Sequence, residues 1–358
     1  MKPAAPGIRR LAARTVAFAA VGVLALGATA CSTRGEAGTD QDGSTTGNVE
    51  KFAIVAPENE SDHGWNQAGL VAAEEAAKEL GIDVELLADA GWDNVETVLS
   101  QVASDGAGLI VAHASGYGVA GAAVAAKSGV PIIIQDAGEN VPGSVAKITT
   151  KAQEGGYLAG IAAAMSTKSG KVGIVVSADD ANWFKMSGGF VEGVYSVNPD
   201  VEVLYASVGP ASYADSAGGK ATTEQLIAAG ADVIFGMGDG ATTGYLQAVE
   251  AAEDVLYIAD IGDVTDAMSD PSRLLTSVLW NYTDTYVQAI KDVNSGSFGK
   301  AGYELTVGNG GLLLQESPKL TSEIQAAVEE ASKAIVAGSV VPSDAASAAD
   351  VKAIIAAK

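Results

Sequence analysis

Phe52-Ala-Ile-Val-Ala56, Val84-Glu-Leu-Leu87, Leu109-Ile-Val-Ala112 and Ile132-Ile-Ile134 are short, rich in β-branched residues and almost continuously apolar. Val172-Gly-Ile-Val-Val176, Val201-Glu-Val-Leu204, Val233-Ile-Phe235 and Leu256-Tyr-Ile-Ala259 repeat the pattern further along. Runs of this kind mark strands buried on both faces of a parallel sheet, where neither face alternates with solvent. Between them stand Ala- and Leu-rich stretches with helical spacing, at 67–80, 95–104, 118–128 and 222–229, several of them closing near a Gly, a common C-terminal helix stop. The strand–helix alternation appears twice, over about residues 51–136 and again over about 170–262. Two such blocks predict an α/β protein of two doubly wound, parallel-sheet lobes joined by a hinge, with a cleft between them.

Upstream of the first strand, Lys2, Arg9, Arg10 and Arg14 precede an apolar run from Val16 to Leu26, and small residues then lead to Cys31. The run is shorter than the ~20 apolar residues that span a bilayer, and it fits a secretory signal peptide over 1–30. Small residues ending at the single cysteine of the chain resemble a bacterial lipobox, with Ala28 where Leu is usual. Lipid attachment at Cys31 is therefore expected, and residues 31–49, polar and rich in Gly, Ser and Thr, read as a flexible tether. This places the folded part on the extracytoplasmic face of the cell membrane.

Hydrophobic residues at 48% and charged residues at 18% make a folded chain rather than a disordered one. The formal charge is −23, and the expected loss of the four basic residues before Cys31 makes the mature chain more acidic still. Such a surface repels nucleic acid, whose binding depends on phosphate neutralisation by Lys and Arg. One cysteine excludes an internal disulfide and a Cys-based zinc site, and two histidines, His63 and His113, are too few for most His-rich metal sites. Neither metal nor cofactor is expected.

In open parallel sheets, ligands sit beyond the carboxyl ends of the strands. The residues that follow the runs are Asp62–Gln67, Asp89–Trp92, His113–Tyr117, Asp136, Ser177–Trp183, Gly236–Asp239, Asp260–Asp263 and Trp280–Tyr282. No Gly-x-Ser-x-Gly elbow stands around Ser115 or Ser177, and no Walker sequence occurs. The expectation is a binding protein without catalytic residues. All four tryptophans, Trp65, Trp92, Trp183 and Trp280, lie in these segments. Facing indoles would sandwich a flat ring, and Asp62, Asp136, Asp239 and Asp260 would accept hydrogen bonds from it. The carboxylates also suit helix N-capping. Gly236-Met-Gly-Asp-Gly240, with Gly238 at its centre, is either a tight turn into a helix or a place where a ligand approaches the backbone.

These residues carry a resemblance. Asp62-His-Gly-Trp-Asn-Gln67, Ile134-Gln-Asp136, Glu154-Gly-Gly-Tyr-Leu-Ala-Gly160, Phe190-x-x-Gly193, Gly230-Ala-Asp-Val-Ile-Phe235 and Tyr257-Ile-Ala-Asp260 are similar to motifs of the Bmp family, the substrate-binding lipoproteins of ABC transporters. Characterised members of that family bind purine nucleosides. The resemblance implies a type I periplasmic binding protein fold and three passages between lobes, near 138, 262 and 290. It assigns 51–138 with about 263–290 to the first lobe and about 139–262 with 291–345 to the second, leaving 346–358 as a C-terminal helix or tail. It implies ligand contacts at Trp65, Asn66 and Asp136 from the first lobe and, from the second, at Asp260 and at Trp183 or Phe184. The strand-end reading adds Asp62 to the first set and Gly238 and Asp239 to the second. The family's Thr-Ser-Val-Val-Lys is here Thr276-Ser-Val-Leu-Trp280, so an indole replaces an ammonium, as in a Trp-Asn branch of the family. The function so implied is delivery of a purine nucleoside, a purine base or another flat heterocycle to an ABC permease by hinge closure, from a monomer. A sugar or autoinducer-like carbohydrate ligand is the first alternative, and a surface lipoprotein binding a macromolecular partner the second.

Overall fold

A computed structural model describes residues 48–357. The expected signal peptide, Cys31 and most of the tether lie outside the described residues.

The first half alternates β1 (Lys51–Val55), α1 (Trp65–Leu80), β2 (Asp83–Leu87), α2 (Val95–Ser104), β3 (Leu109–Ala112), α3 (Gly118–Ser128), β4 (Ile132–Gln135) and β5 (Val145–Thr150). The second alternates α4 (Ala152–Ser166), β6 (Lys171–Val176), α5 (Ala181–Val197), β7 (Glu202–Ser207), α6 (Ser216–Ala228), β8 (Val233–Met237), α7 (Thr242–Ala251), β9 (Leu256–Ile261) and β10 (Leu274–Trp280). The chain ends through α8 (Thr283–Ser295), β11 (Tyr303–Leu305), β12 (Leu312–Leu314), α9 (Ser322–Val336) and α10 (Ala348–Ala356). Every expected strand and helix is present, and α10 falls in the expected C-terminal segment. Gly81 and Gly129 close α1 and α3 in the left-handed conformation, at φ 68° and 75°, which a side chain would strain.

Two six-stranded sheets result, ordered β11-β5-β4-β3-β1-β2 and β12-β10-β9-β8-β6-β7. All neighbours are parallel except β10 and β12. The registers align the strand ends: Val55 stands beside Leu87 and Ala112 in one sheet, and Val176 beside Ser207 and Met237 in the other. Loops leaving the carboxyl ends of each sheet are thereby gathered on one edge. The runs are buried throughout at β3, β4 and β8, as continuous hydrophobicity requires.

The passages between lobes differ from the expected 138, 262 and 290. β5 continues the first sheet, so the chain first crosses between Thr150 and Ala152; β10 belongs to the second sheet, so the next crossing follows Trp280; the third joins β11 to β12. Residues 145–150 therefore belong with the first lobe and 274–280 with the second, and β11 returns to the first sheet. The reason is local: Val145-Ala-Lys-Ile-Thr-Thr150 is broken by polar residues and does not read as a buried run. The three passages are bonded side by side. Lys151 N–H donates to the Leu305 carbonyl and Asn281 N–H to that of Gly311, each at 2.9 Å. The buried Glu154 accepts from Val307 N–H at 2.8 Å.

Two motifs of the family resemblance meet in the second lobe. A Cβ at Gly156 or Gly160 of α4 would overlap the Met186 or Phe190 carbonyl of α5, and one at Gly189 or Gly193 of α5 would overlap the Gln153 or Tyr157 carbonyl of α4. The helices thus touch backbone to backbone, which only glycine permits. This brace connects the first passage, where α4 starts, to the cleft, where α5 starts.

Candidate functional site

The first wall of the cleft is the start of α1. Asp62 organises it: one carboxylate oxygen accepts from Gly64 and Gln67 N–H, both at 3.0 Å, and the other from Asn66 N–H at 3.0 Å and its side-chain amide at 2.7 Å. Asp62 thus satisfies the N–H groups that a helix start leaves without partners. The Trp65 ring lies 5.1 Å from that of the fully buried His113. His113 Nε2 is 2.9 Å from the Trp65 carbonyl, and its Nδ1 is 3.2 Å from the Gln135 amide nitrogen. An amide nitrogen can only donate, so Nδ1 accepts and Nε2–H donates to Trp65. Burial lowers the His113 pKa to about 4, against the pull of the Trp65 carbonyl and the Asp62 charge. The ring is a neutral strut.

The second wall comes from three strand ends and one loop. Asp180 caps α5, accepting from Asn182 N–H at 2.9 Å and Trp183 N–H at 3.3 Å. The Trp183 ring tilts against Tyr213, 5.3 Å away. Asp239 follows β8, Ile261 ends β9 and Trp280 ends β10. Trp65, Asp180, Asn182, Trp183, Tyr213, Asp239, Ile261 and Trp280 enclose a cavity of about 20 Å³, room for a single water. Ile261 holds φ 63° and Asp239 φ 42°. A β-branched residue in that region is strained, and such strain gathers at functional sites.

The walls touch. Trp65 N–H donates to an Asp239 carboxylate oxygen at 3.3 Å, and the Asn182 amide donates to Asp136 at 3.1 Å. A Cβ at Gly64 would overlap the Asp239 carboxylate. A guest larger than a water therefore requires the lobes to stand further apart. Three buried polar atoms around the cavity lack partners: the indole N–H of Trp65, that of Trp280 and one oxygen of Asp260. Such atoms are costly to bury without a partner. Burial pushes the Asp260 pKa up to about 8, while the Trp183 indole beside it pulls the other way. Asp239 is raised well above the ordinary carboxylate range by burial, then by the charges of Asp62 and Asp260. Burial also raises Asp180, against its two helix-capping bonds.

Of the residues expected at the site, Trp65, Trp183, Asp239 and Trp280 line one cavity, Asp260 lies behind it against Trp183, and Asp136 bridges to Asn182 at the rim. Asp62 and Asn66 are taken up in building α1. Phe184 is turned into the core. Gly238 makes room for Tyr245, because a Cβ there would strike that ring; side-chain packing, rather than ligand approach, is the reason for the glycine. Trp92 is 56% exposed and packs edge-on against Tyr117, away from the cavity. Asp180, Asn182, Tyr213 and Ile261 complete the lining. Asp180, Asn182 and Ile261 stand in strand-end segments that marked them for attention. Tyr213 sits in the loop after β7, outside those segments.

A larger concavity, about 760 Å³, lies at the other end of the second sheet, among Lys168, Asp232, Arg273 and Lys319. Of its charged groups, Asp232 accepts from the Thr167 hydroxyl and the backbone N–H of Lys168 and Ser169, and Arg273 pairs with Asp270 at 3.2 Å. Among the described residues, no group of acidic, His or Cys side chains could hold a metal ion, and no helix is long and apolar enough to cross a membrane.

A family described as Bmp, ABC transporter substrate-binding protein PnrA-like, matches residues 49–345. Basic membrane protein A of Borreliella afzelii is 25% identical over 258 residues, 66% of this chain and 76% of its own. The ABC transporter nucleoside-binding protein BmpA of Lactococcus lactis is 31% identical over 117 residues, 33% of each. Among solved structures, a solute-binding protein of an ABC transporter system from Conexibacter woesei superposes with a TM-score of 0.71 at 23% identity, covering 82% of this chain and 98% of its own. One from Aeropyrum pernix does so at 0.71 and 23%, covering 86% and 96%. A Mycobacterium smegmatis protein in complex with β-D-fucofuranose reaches 0.53 at 17%, covering 79% and 97%. At these identities the structures share the fold alone.

Proposed function

The chain belongs to the Bmp family of PnrA-like ABC transporter substrate-binding proteins, and from that premise we propose that it captures a planar heterocycle, a purine nucleoside or base, outside the cytoplasmic membrane and presents it to an ABC permease. The observation that carries this reading is the meeting of Trp65 and Trp183, from different lobes, on one cavity. Aromatic faces hold flat rings by stacking, worth ~1–3 kcal/mol per base on nucleic-acid platforms. The partnerless indole N–H groups of Trp65 and Trp280 and the Asp260 oxygen supply donors and an acceptor that fix orientation.

The guest meets one wall with the lobes apart, and contacts with the other wall then favour closure. The three hydrogen-bonded passages are the hinge, and the α4–α5 brace carries the second wall as a unit. Closure stabilised by ligand is the signal a permease reads. The buried imidazole of His113 serves as a neutral strut under Trp65. Lipid at Cys31 would keep the protein beside its permease, and Cys31→Ser is expected to move it from the membrane fraction to the soluble one on cell fractionation.

Calorimetric titration with adenosine, guanosine, inosine, hypoxanthine and adenine tests the ligand class. Silence from all five beside clear binding of a sugar would reject it. The sugar reading draws support from the fold shared with the fucofuranose complex. Ultraviolet absorbance of ligand released from purified protein by denaturation separates the two, because purines absorb and sugars do not.

A further inference from the structure

We propose that the solute carries a positive charge: a cationic heterocycle held by the rings of Trp65, Trp183, Tyr213 and Trp280 against the carboxylates of Asp180, Asp239 and Asp260. This deepens the reading above and rests on it. The cavity wall is four aromatic side chains, two carboxylates, one amide and Ile261, with no Lys or Arg among its described lining residues. Aromatic faces attract cations through the ring quadrupole, most strongly for Trp, and enclosure strengthens the attraction. Asp260, behind the wall, is 1% exposed and has an oxygen without a partner; Trp280 is 5% exposed with its indole N–H likewise free. The guest thus also offers a hydrogen-bond donor and an acceptor.

The surrounding charges bear on this. Asp62 and Asp180 add negative potential at Asp260, and Asp62, Asp180 and Asp260 do so at Asp239. Tyr245 and Tyr257, packed beside Asp260, are held in their neutral form, and His113 is neutral. Lys185 favours the charged forms of Asp136 and Asp180, but its ammonium turns to Asp344 at 3.5 Å. Lys147 acts on Asp136 at the rim. Trp280 adds an indole to this wall and no charge. A neutral guest can hydrogen-bond these acids in their protonated forms, which burial and their neighbours favour. A cation relieves the mutual repulsion of their charged forms, and competes with the proton for the same oxygens.

The test uses two positional isomers, one of which is protonated and therefore cationic at neutral pH. 1-Methyladenosine is a cation at neutral pH, and N6-methyladenosine is neutral. Thiamine serves as an unrelated heterocyclic cation, and adenosine as the neutral parent. Titration calorimetry at pH 7, in two buffers of different ionisation enthalpy, reads affinity and proton exchange together. The expected result is at least one of the two cations binding about tenfold or more tightly than N6-methyladenosine, with proton release. Asp239→Asn and Asp260→Asn should each shrink that preference, weakening the cation by a larger factor than the neutral isomer. The proposal is overturned if both cations bind no more tightly than N6-methyladenosine, or if cation binding takes up protons. Should neutral purines bind without a charge preference, only this inference falls. If no heterocycle of either charge binds and a sugar does, the reading of the site as a heterocycle receptor falls with it.

Discussion

On the first lobe, Asp62, Asn66, His113 and Gln135 bond one another and the backbone of α1, and Trp65 stands on that finished network. On the second, Asp180, Asp239 and Asp260 repel each other, Ile261 and Asp239 hold positive φ, and the indole N–H of Trp280 has no partner. One wall is largely satisfied by its own side chains, although His63 and Asp136 there also hold positive φ; the other gathers more buried carboxylates and puts the β-branched Ile261 at positive φ. The proposed function then gives rigid presentation to the first lobe and discrimination to the second. The difference matters because binding gains from preorganisation on one side, whereas selectivity comes from groups that are costly when left alone.

The sharpest way to break this comparison is to remove the support of the second wall alone. Gly189→Val puts branched carbon into the Gln153 carbonyl, and a stability loss of about 3 kcal/mol or more is expected, read as a drop in urea midpoint. Stability unchanged within error would mean that α4 and α5 are not a fixed brace.

Asp260→Asn probes stored charge in the second wall. The ordinary Asp260 value is 3.8 and the folded one about 8, so the folded form holds the proton more tightly. Its contribution to stability is fully present below the lower value and is lost as pH rises through the upper one. His113 works in the opposite sense: lowered from 6.5 to about 4, it contributes above 6.5 and is lost as pH falls toward 4. Comparing wild type with Asp260→Asn between pH 5 and 8 isolates the aspartate. The variant is expected to lose a pH slope amounting to a few kcal/mol across that window, measured by denaturant unfolding in each buffer. Parallel curves would show Asp260 to be ordinary.

Trp183→Ala is expected to weaken the tightest-binding heterocycle about tenfold to a hundredfold by calorimetry, and Trp65→Ala by a similar factor. If only one of the two matters, the guest rests on a single lobe and the two-sided reading fails. Gly64→Ala tests the contact between the walls. Its methyl group meets the Asp239 carboxylate, so closure should be hindered and affinity reduced by less than about tenfold, with unchanged stability of the unliganded protein. Small-angle scattering with saturating ligand should show the variant less compact than wild type.

Much of this was legible in the residues themselves. Runs such as Leu109–Ala112 and Ile132–Ile134 declare strands because burial on both faces leaves no polar position, and the strand-end rule located Trp65, Trp183, Asp239 and Trp280. β5 was hidden because Lys147 and Thr149 interrupt its apolar pattern, and with it went the passages between lobes. The role of Asp62 was ambiguous for a different reason. A carboxylate before a helix suits a cap and a ligand equally, and only the four bonds it makes decide between them.

The sequence by itself determined two parallel-sheet lobes, an acidic surface and a set of aromatic and acidic strand ends, because periodicity, burial and charge are local properties of a chain. The tertiary structure alone decided which of those ends meet. It turned Trp92 outward and Phe184 inward, gave Gly238 to Tyr245, and set Trp65 opposite Trp183 with three carboxylates at their side. Those choices depend on strand order and on where the chain crosses between sheets, and they bring together residues far apart in sequence, whose spacing no local pattern records.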